Sequence, residues 1–138
     1  MKVISIFGQK GGTGKTSIAE ALAVAFAIKG MNTRGIDLDP QLSFAQWGEV
    51  RGDHLPHVAY ELPSKLPKAL EQAKQDGVAI CIIDTAGRAE QAALASVRAA
   101  DLVIVPFQPT APDLNTLDGV IDLLKLGGTP QSFAVLSR

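Results

Sequence analysis

Residues 7–17 read FGQKGGTGKTS, with Gly8, Gly11, Gly12 and Gly14, Lys10 and Lys15, and hydroxyl side chains at Thr13, Thr16 and Ser17. A stretch so poor in apolar groups builds no core. Its chemistry is that of a phosphate cradle. Glycines let successive backbone N–H groups converge on phosphate oxygens, and a helix starting near Lys15 adds the positive end of its dipole. The backbone from Gly11 through Gly12, Thr13, Gly14 and Lys15 to Thr16 and Ser17 would wrap the phosphates. The Lys15 ammonium would reach the β- and γ-phosphates, and the Thr16 hydroxyl would ligate Mg²⁺. A merely flexible strand-to-helix turn has no use for such a Lys-Thr pair. The general pattern is G-x-x-x-x-G-K-[ST]. Gly14, Lys15 and Thr16 fit it, but Gln9 stands at the leading glycine position and Lys10 is a second lysine where one suffices.

Three aspartates could complete such a site. Asp84 ends the apolar run VAICIID (78–84); the C-terminal edge of a parallel sheet faces its ligand, and hydrated Mg²⁺ needs a carboxylate there. Asp37 and Asp39 lie in IDLDPQ. Asp39 also suits a bland role, as helix N-cap before Pro40. Gly87 would let its N–H approach the γ-phosphate, as in switch loops, or serve as an ordinary turn glycine. Thr85 and Arg88 flank that turn, and Arg88 reads as a surface residue. His54 and His57, three apart in a Pro/Gly loop without a third ligand, are weak evidence for metal. Trp47 reads as half-buried packing or a dimer contact, and Lys65, Lys68 and Lys74, with Glu71 and Asp76, as a solvated helix face.

The elements that must hold these groups alternate. Strands are expected over 2–7, 33–37, 57–62, 78–84, 101–107 and 132–137, from short β-branched or apolar runs. Helices are expected over 16–30, 39–50, 64–77, 89–100 and 111–128, the last with Gly119 inside it. Such alternation implies a doubly wound α/β sheet, mainly parallel. The 138 residues suit one domain, 1–138, with no repeat or linker. A net charge of −1 gives no overall basic field that would announce nucleic acid. The single cysteine excludes an intrachain disulfide framework, and Cys81 reads as a buried strand residue. The apolar stretch after Lys2 is too short for a signal peptide or a membrane span, which makes the cytoplasm the default location.

The segment KGGTGKT resembles the deviant Walker A motif of the ParA/MinD family of P-loop ATPases. DLDPQ (37–41) resembles that family's second motif, IIDTAG (82–87) its Walker B and switch, and AADLVIVPFQPTAPDL (99–114) the strand and turn that follow. Order and spacing agree from residue 1 to residue 138. The chain is most similar to small ParA-type partition ATPases without an N-terminal DNA-binding extension. The resemblance implies a P-loop NTPase fold, ATP/ADP and Mg²⁺ as cofactors, and an ATP-dependent homodimer that sandwiches two nucleotides. It implies that Lys10 acts on the phosphates of the other subunit, that Asp39 orients the attacking water, and that Asp37 lies near the metal shell. A centromere-binding ParB-like partner, nonspecific DNA and nucleoid association of the ATP state are also implied. The family's C-terminal part, which bears much of the DNA-binding patch, adenine pocket and dimer surface, is expected to be missing here. A MinD-like membrane cycle would need a C-terminal amphipathic helix, and AVLSR offers none, so no membrane partner is expected. A metabolic amide or carboxylate ligase on the same scaffold is the remaining alternative; an iron–sulfur reductase would need more cysteines than Cys81.

Overall fold

β-branched and apolar runs form the centre of the molecule, a sheet of six parallel strands in the order β3-β2-β4-β1-β5-β6. The computed structural model describes every residue except Asp53, Arg88 and Arg138, with the side chain of Asp113 also outside the description. The expectation for Arg88 therefore lies outside the described residues. The strands are β1 (Lys2–Ile6), β2 (Thr33–Asp37), β3 (His57–Tyr60), β4 (Ile80–Asp84), β5 (Leu102–Phe107) and β6 (Gln131–Leu136). The helices are α1 (Lys15–Ile28), α2 (Ser43–Val50), α3 (Leu66–Gln75), α4 (Glu90–Ala99), α5 (Ala111–Leu114) and α6 (Leu117–Leu126), with a 3₁₀ turn at Pro63–Lys65 leading into α3.

Period-2 geometry sends alternate residues of β4 to opposite faces. Ile80 and Ile82 join Ile4, Ile6 and Phe44 beneath α1, where Ala19 and Ala23 let the helix lie close to the sheet. Cys81 and Ile83 face the other way, with Val3, Ile36, Leu66 and Ala92. Cys81 is buried as expected, and burial pushes its thiol up to about 12. A third cluster joins Phe7, Val103 and Val105 to Val97 of α4 and Val120 and Leu123 of α6. All six residues of β6 are exposed, Leu136 at 65%.

Register brings the chemistry to one edge. Ile6 and Asp37 both pair with Asp84, so β1, β2 and β4 end flush. The chain leaves β1 for β2 and β3, returns to fill the gap with β4, then crosses to β5 on the far flank of β1. Ligand crevices in open α/β sheets form at such a switch point, outside the carboxyl ends of the strands.

Two helices differ from the sequence expectation. The one expected over 39–50 begins at Ser43, behind Leu42 at φ 60. Asp39 does not cap it: Asp39 Oδ1 accepts the Gln41 N–H at 2.9 Å in a local Asx turn. Asp37 holds the first turn instead, accepting the Ala45 N–H at 3.0 Å and the Asp39 N–H at 2.8 Å. The helix expected over 111–128 is two, separated at Asn115 and Thr116.

The β2–α2 loop is placed by close packing below it. A Cβ on Gly35 of β2 would lie 2.7 Å from Phe44 and 2.8 Å from Val58, and one on Gly48 of α2 would lie 2.7 Å from Val58. Overpacking a filled core costs about 1–3 kcal/mol. Gly35→Ala is therefore expected to lower stability by about that much, read as a lower urea midpoint. An unchanged midpoint would show that α2 has slack to move.

Candidate functional site

The cradle residues follow β1 directly. Gly12 and Gly14 adopt φ 77 and φ 84, left-handed values open to glycine at little cost. Gly14 is the N-cap of α1 and supplies no side-chain cap, so the first-turn N–H groups have no side chain over them. The Ile18 N–H then donates to the Gly14 carbonyl at 3.0 Å and the helix is under way. Inside the loop the Lys10 carbonyl is the hub. It accepts from Lys15 Nζ at 2.7 Å and from Thr13 Oγ1 at 3.4 Å.

A cleft of about 920 Å³ opens over this loop, bordered by Lys10, Lys15, Thr16, Asp39 and Gly87, among others. Lys15 is 7% exposed. Burial lowers its pKa, and the nearby carboxylates of Asp84 and Asp39 oppose that shift. Asp84 lies behind Thr16: Thr16 Oγ1 donates to Asp84 Oδ2 at 2.6 Å, and the Thr85 N–H donates to Oδ1 at 3.0 Å. Burial lifts the Asp84 carboxyl to about 6; the Asp37 charge adds to the rise, while Thr16, Lys15 and the Thr85 N–H work against it. Burial also raises Asp37, against the backbone N–H groups that bond it.

Two buried carboxylates in register, beside a hydroxyl and below a cleft, form a hard-oxygen set suited to Mg²⁺. That ion takes one or two carboxylates plus phosphate oxygens and water rather than a full protein cage. Among the described residues no group of three or more His, Cys, Asp and Glu could hold a metal by itself. Asp37 already serves the loop backbone with both oxygens; Thr16 borders the cleft and Asp84 is joined to it through the Thr16 hydroxyl.

Gly87 meets the cradle from the switch side. A Cβ there would lie 2.8 Å from the Lys10 carbonyl carbon, 2.9 Å from its oxygen and 3.0 Å from the Gly11 nitrogen. The turn after β4 thus rests on the Lys10–Gly11 peptide, where only glycine fits. Thr85, which the sequence marks only as a neighbour, ties β4 to β1 through its buried hydroxyl and the Ile6 carbonyl, 3.0 Å apart. Gln108 Nε2 donates to the Gly12 carbonyl at 3.4 Å; no local signal in the sequence marks that contact. Trp47 is half-buried, stacked on Phe44 with ring centroids 5.7 Å apart and with Arg51 4.9 Å above it.

The profile of the CobQ/CobB/MinD/ParA nucleotide binding domain matches residues 4–135. The chain belongs to this family. Protein ParA of Rhizobium radiobacter is 33% identical over 116 residues, which cover 82% of this chain and 51% of that protein. Maintenance of carboxysome distribution protein A of Gloeobacter kilaueensis is 35% identical over 119 residues, covering 84% of this chain and 53% of that protein. The chain spans about half the length of these curated relatives. A solved plasmid partition protein from Borrelia burgdorferi shares the fold with a TM-score of 0.81 at 18% identity, covering 98% of this chain and 78% of that one. A cobyrinic acid a,c-diamide synthase from Mycobacterium smegmatis, solved with bound ADP and magnesium, gives 0.77 at 19% identity, covering 99% and 74%. The family and the doubly wound P-loop fold expected from the sequence are both borne out.

The raised Asp84 carboxyl has a consequence for stability. Its folded value, about 6, lies above the ordinary 3.8, so between those values the folded chain binds the extra proton and stability falls as pH rises. The destabilisation is absent below the ordinary value and complete above about 6. Its ceiling is about 3 kcal/mol at 1.36 kcal/mol per pH unit. Without nucleotide or metal, Asp84→Asn is expected to melt higher than the parent at pH 8 and level with it near pH 4. An Asp84→Asn chain less stable at both pH values would mean that the carboxylate's hydrogen bonds outweigh its burial.

Proposed function

We propose that this chain binds ATP with Mg²⁺ and hydrolyses it as a ParA-type partition ATPase, alternating between an ADP monomer and an ATP sandwich homodimer to segregate plasmid or chromosomal DNA. The observation that carries the reading is the convergence of Lys10, Lys15, Thr16, Asp39 and Gly87 on one cleft, with Asp84 bonded to Thr16. The names of the two curated relatives support a partition role, although one names carboxysomes, so cargo is where relatives diverge. Lys10 favours this reading over an amide or carboxylate ligase on the same scaffold, whose plainer loop needs no second lysine. Among the described residues no helix is long and apolar enough to cross a membrane.

The roles proposed are those the family resemblance implies for these positions. First-turn N–H groups of α1 and the loop backbone hold the phosphates, and Lys15, one of whose three N–H donors stays on the Lys10 carbonyl, turns the others to the terminal pair. Thr16 and Asp84 would hold the magnesium ion, with Asp37 adjacent in register; when bound, that ion neutralises charge on the β- and γ-phosphate oxygens. Asp39, held by its Asx turn at the cleft wall, orients the attacking water. Lys10 stabilises the developing phosphate charge of the partner subunit. A ParB-like protein at the centromere stimulates turnover, and the ATP dimer is held on nonspecific DNA at the nucleoid.

Lys15→Ala is expected to abolish ATP binding by calorimetry, since it removes the cation shared by the two terminal phosphates. Lys10→Ala should keep ATP binding but lose hydrolysis by about 10²–10³-fold, the usual effect of deleting one charge-stabilising donor. Mixing the two variants should restore part of the turnover, because Lys15→Ala subunits still supply Lys10. Normal hydrolysis by Lys10→Ala alone would overturn action in trans. Co-sedimentation with DNA and with anionic liposomes separates the readings of the partner surface: DNA binding in ATP supports partition, and liposome binding alone contradicts it.

A further inference from the structure

Gln9 stands where the general phosphate-loop pattern has glycine, and nothing in the proposed reaction uses it. Its neighbour explains its presence. Gly119 is the third residue of α6. A Cβ there would lie 2.5 Å from Gln9 Nε2, 2.7 Å from Oε1 and 2.9 Å from Cδ. The amide of Gln9 therefore rests on bare helix backbone. A glycine inside a helix costs about 1 kcal/mol relative to alanine, and α6 has one at the point where the phosphate loop arrives.

The same arm of the loop is held from a second direction. Gly87 supports the Lys10–Gly11 peptide, as described above. Between the Gly119 contact at Gln9 and the Gly87 contact at Lys10–Gly11 lies the Lys10 carbonyl, the acceptor of Lys15 Nζ at 2.7 Å. Two glycines from separate elements thus clamp three consecutive residues, and the clamp fixes the carbonyl that holds the phosphate-binding ammonium.

We propose that Gln9 is a positioning residue, with Gly119 as its socket: seated on α6, its amide fixes the leading arm of the phosphate loop and so sets the Lys10 carbonyl and Lys15. The departure from the glycine pattern at position 9 and the glycine at position 119 are two halves of one device. The inference rests on reading the cleft as a nucleotide site, and it makes Gln9 act through Lys10 and Lys15 rather than on the nucleotide.

The two clamping glycines differ in a way that makes the idea testable. A side chain at 87 would strike loop backbone. The three atoms nearest a methyl group at 119 all belong to the flexible end of Gln9, which also borders a cavity of about 440 Å³ with Phe7, Ala93 and Leu123. Gly119→Ala should therefore fold, with the amide displaced into that space. Four chains decide the matter: the parent, Gly119→Ala, Gln9→Gly and the double variant, each measured for Mg-ATP affinity by calorimetry and for its urea midpoint. Gly119→Ala is expected to bind ATP about tenfold more weakly without a lower urea midpoint, a pairing that a purely structural glycine would not produce. In the Gln9→Gly background, where no amide remains to displace, adding Gly119→Ala should change affinity no further. Parental affinity in Gly119→Ala, or the same loss in both backgrounds, would overturn the proposal. If the parent itself fails to bind ATP, the reading of the cleft falls and the positioning role falls with it. The urea midpoints still judge the contact by themselves: Gly119→Ala should stabilise the Gln9→Gly chain more than the parent, and equal shifts would show that the two residues do not meet.

Discussion

Thr16 donates its hydroxyl to Asp84 at 2.6 Å, and the two meet because β1 and β4 run in register to a common edge. That one hydrogen bond joins the first turn of α1 to the end of a central strand. It ties Thr16, which borders the cleft, to a buried carboxylate. Its partner is a carboxylate that burial lifts to about 6, in a region where Asp37 and Asp39 add further negative charge. Lys15 answers part of that charge and is itself buried. Burial and the neighbouring Asp37 charge both disfavour the ionised Asp84 carboxyl, whereas a nearby cation favours it.

Much of this was legible in the sequence because its signals are local. The apolar run ending at Asp84, the glycines and Lys-Thr pair after β1, and the alternation of strand and helix all depend on near neighbours, and each was placed correctly. The errors have local causes too. Asp39-Pro40 has the form of a helix start, yet the backbone uses Asp39 for an Asx turn and leaves the first turn of α2 to Asp37 two residues upstream. A side chain that reaches eight residues along the chain imitates no capping pattern. The break between α5 and α6 falls at Asn115 and Thr116, away from Gly119, the residue that local reasoning marks as weak.

The contacts that position the cleft were not legible, because they cross long stretches of chain. Gly119 looks like a poor helix residue until Gln9 is seen against it, and Gly87 looks like a turn glycine until the Lys10–Gly11 peptide is seen beneath it. Thr85 gives no hint in sequence that it ties two strand ends together. The chain covers about half the length of its curated relatives.

Asp84 and Thr16 are proposed to form the metal side of a nucleotide site. The direct measurement is the affinity for ATP, with Mg²⁺ and with EDTA, from pH 5 to pH 8. Tighter binding is expected with Mg²⁺ at pH 8, by a margin that shrinks as the pH falls through about 6 and a proton occupies Asp84. Equal affinity in Mg²⁺ and EDTA at pH 8, or a margin that does not change with pH, would contradict it.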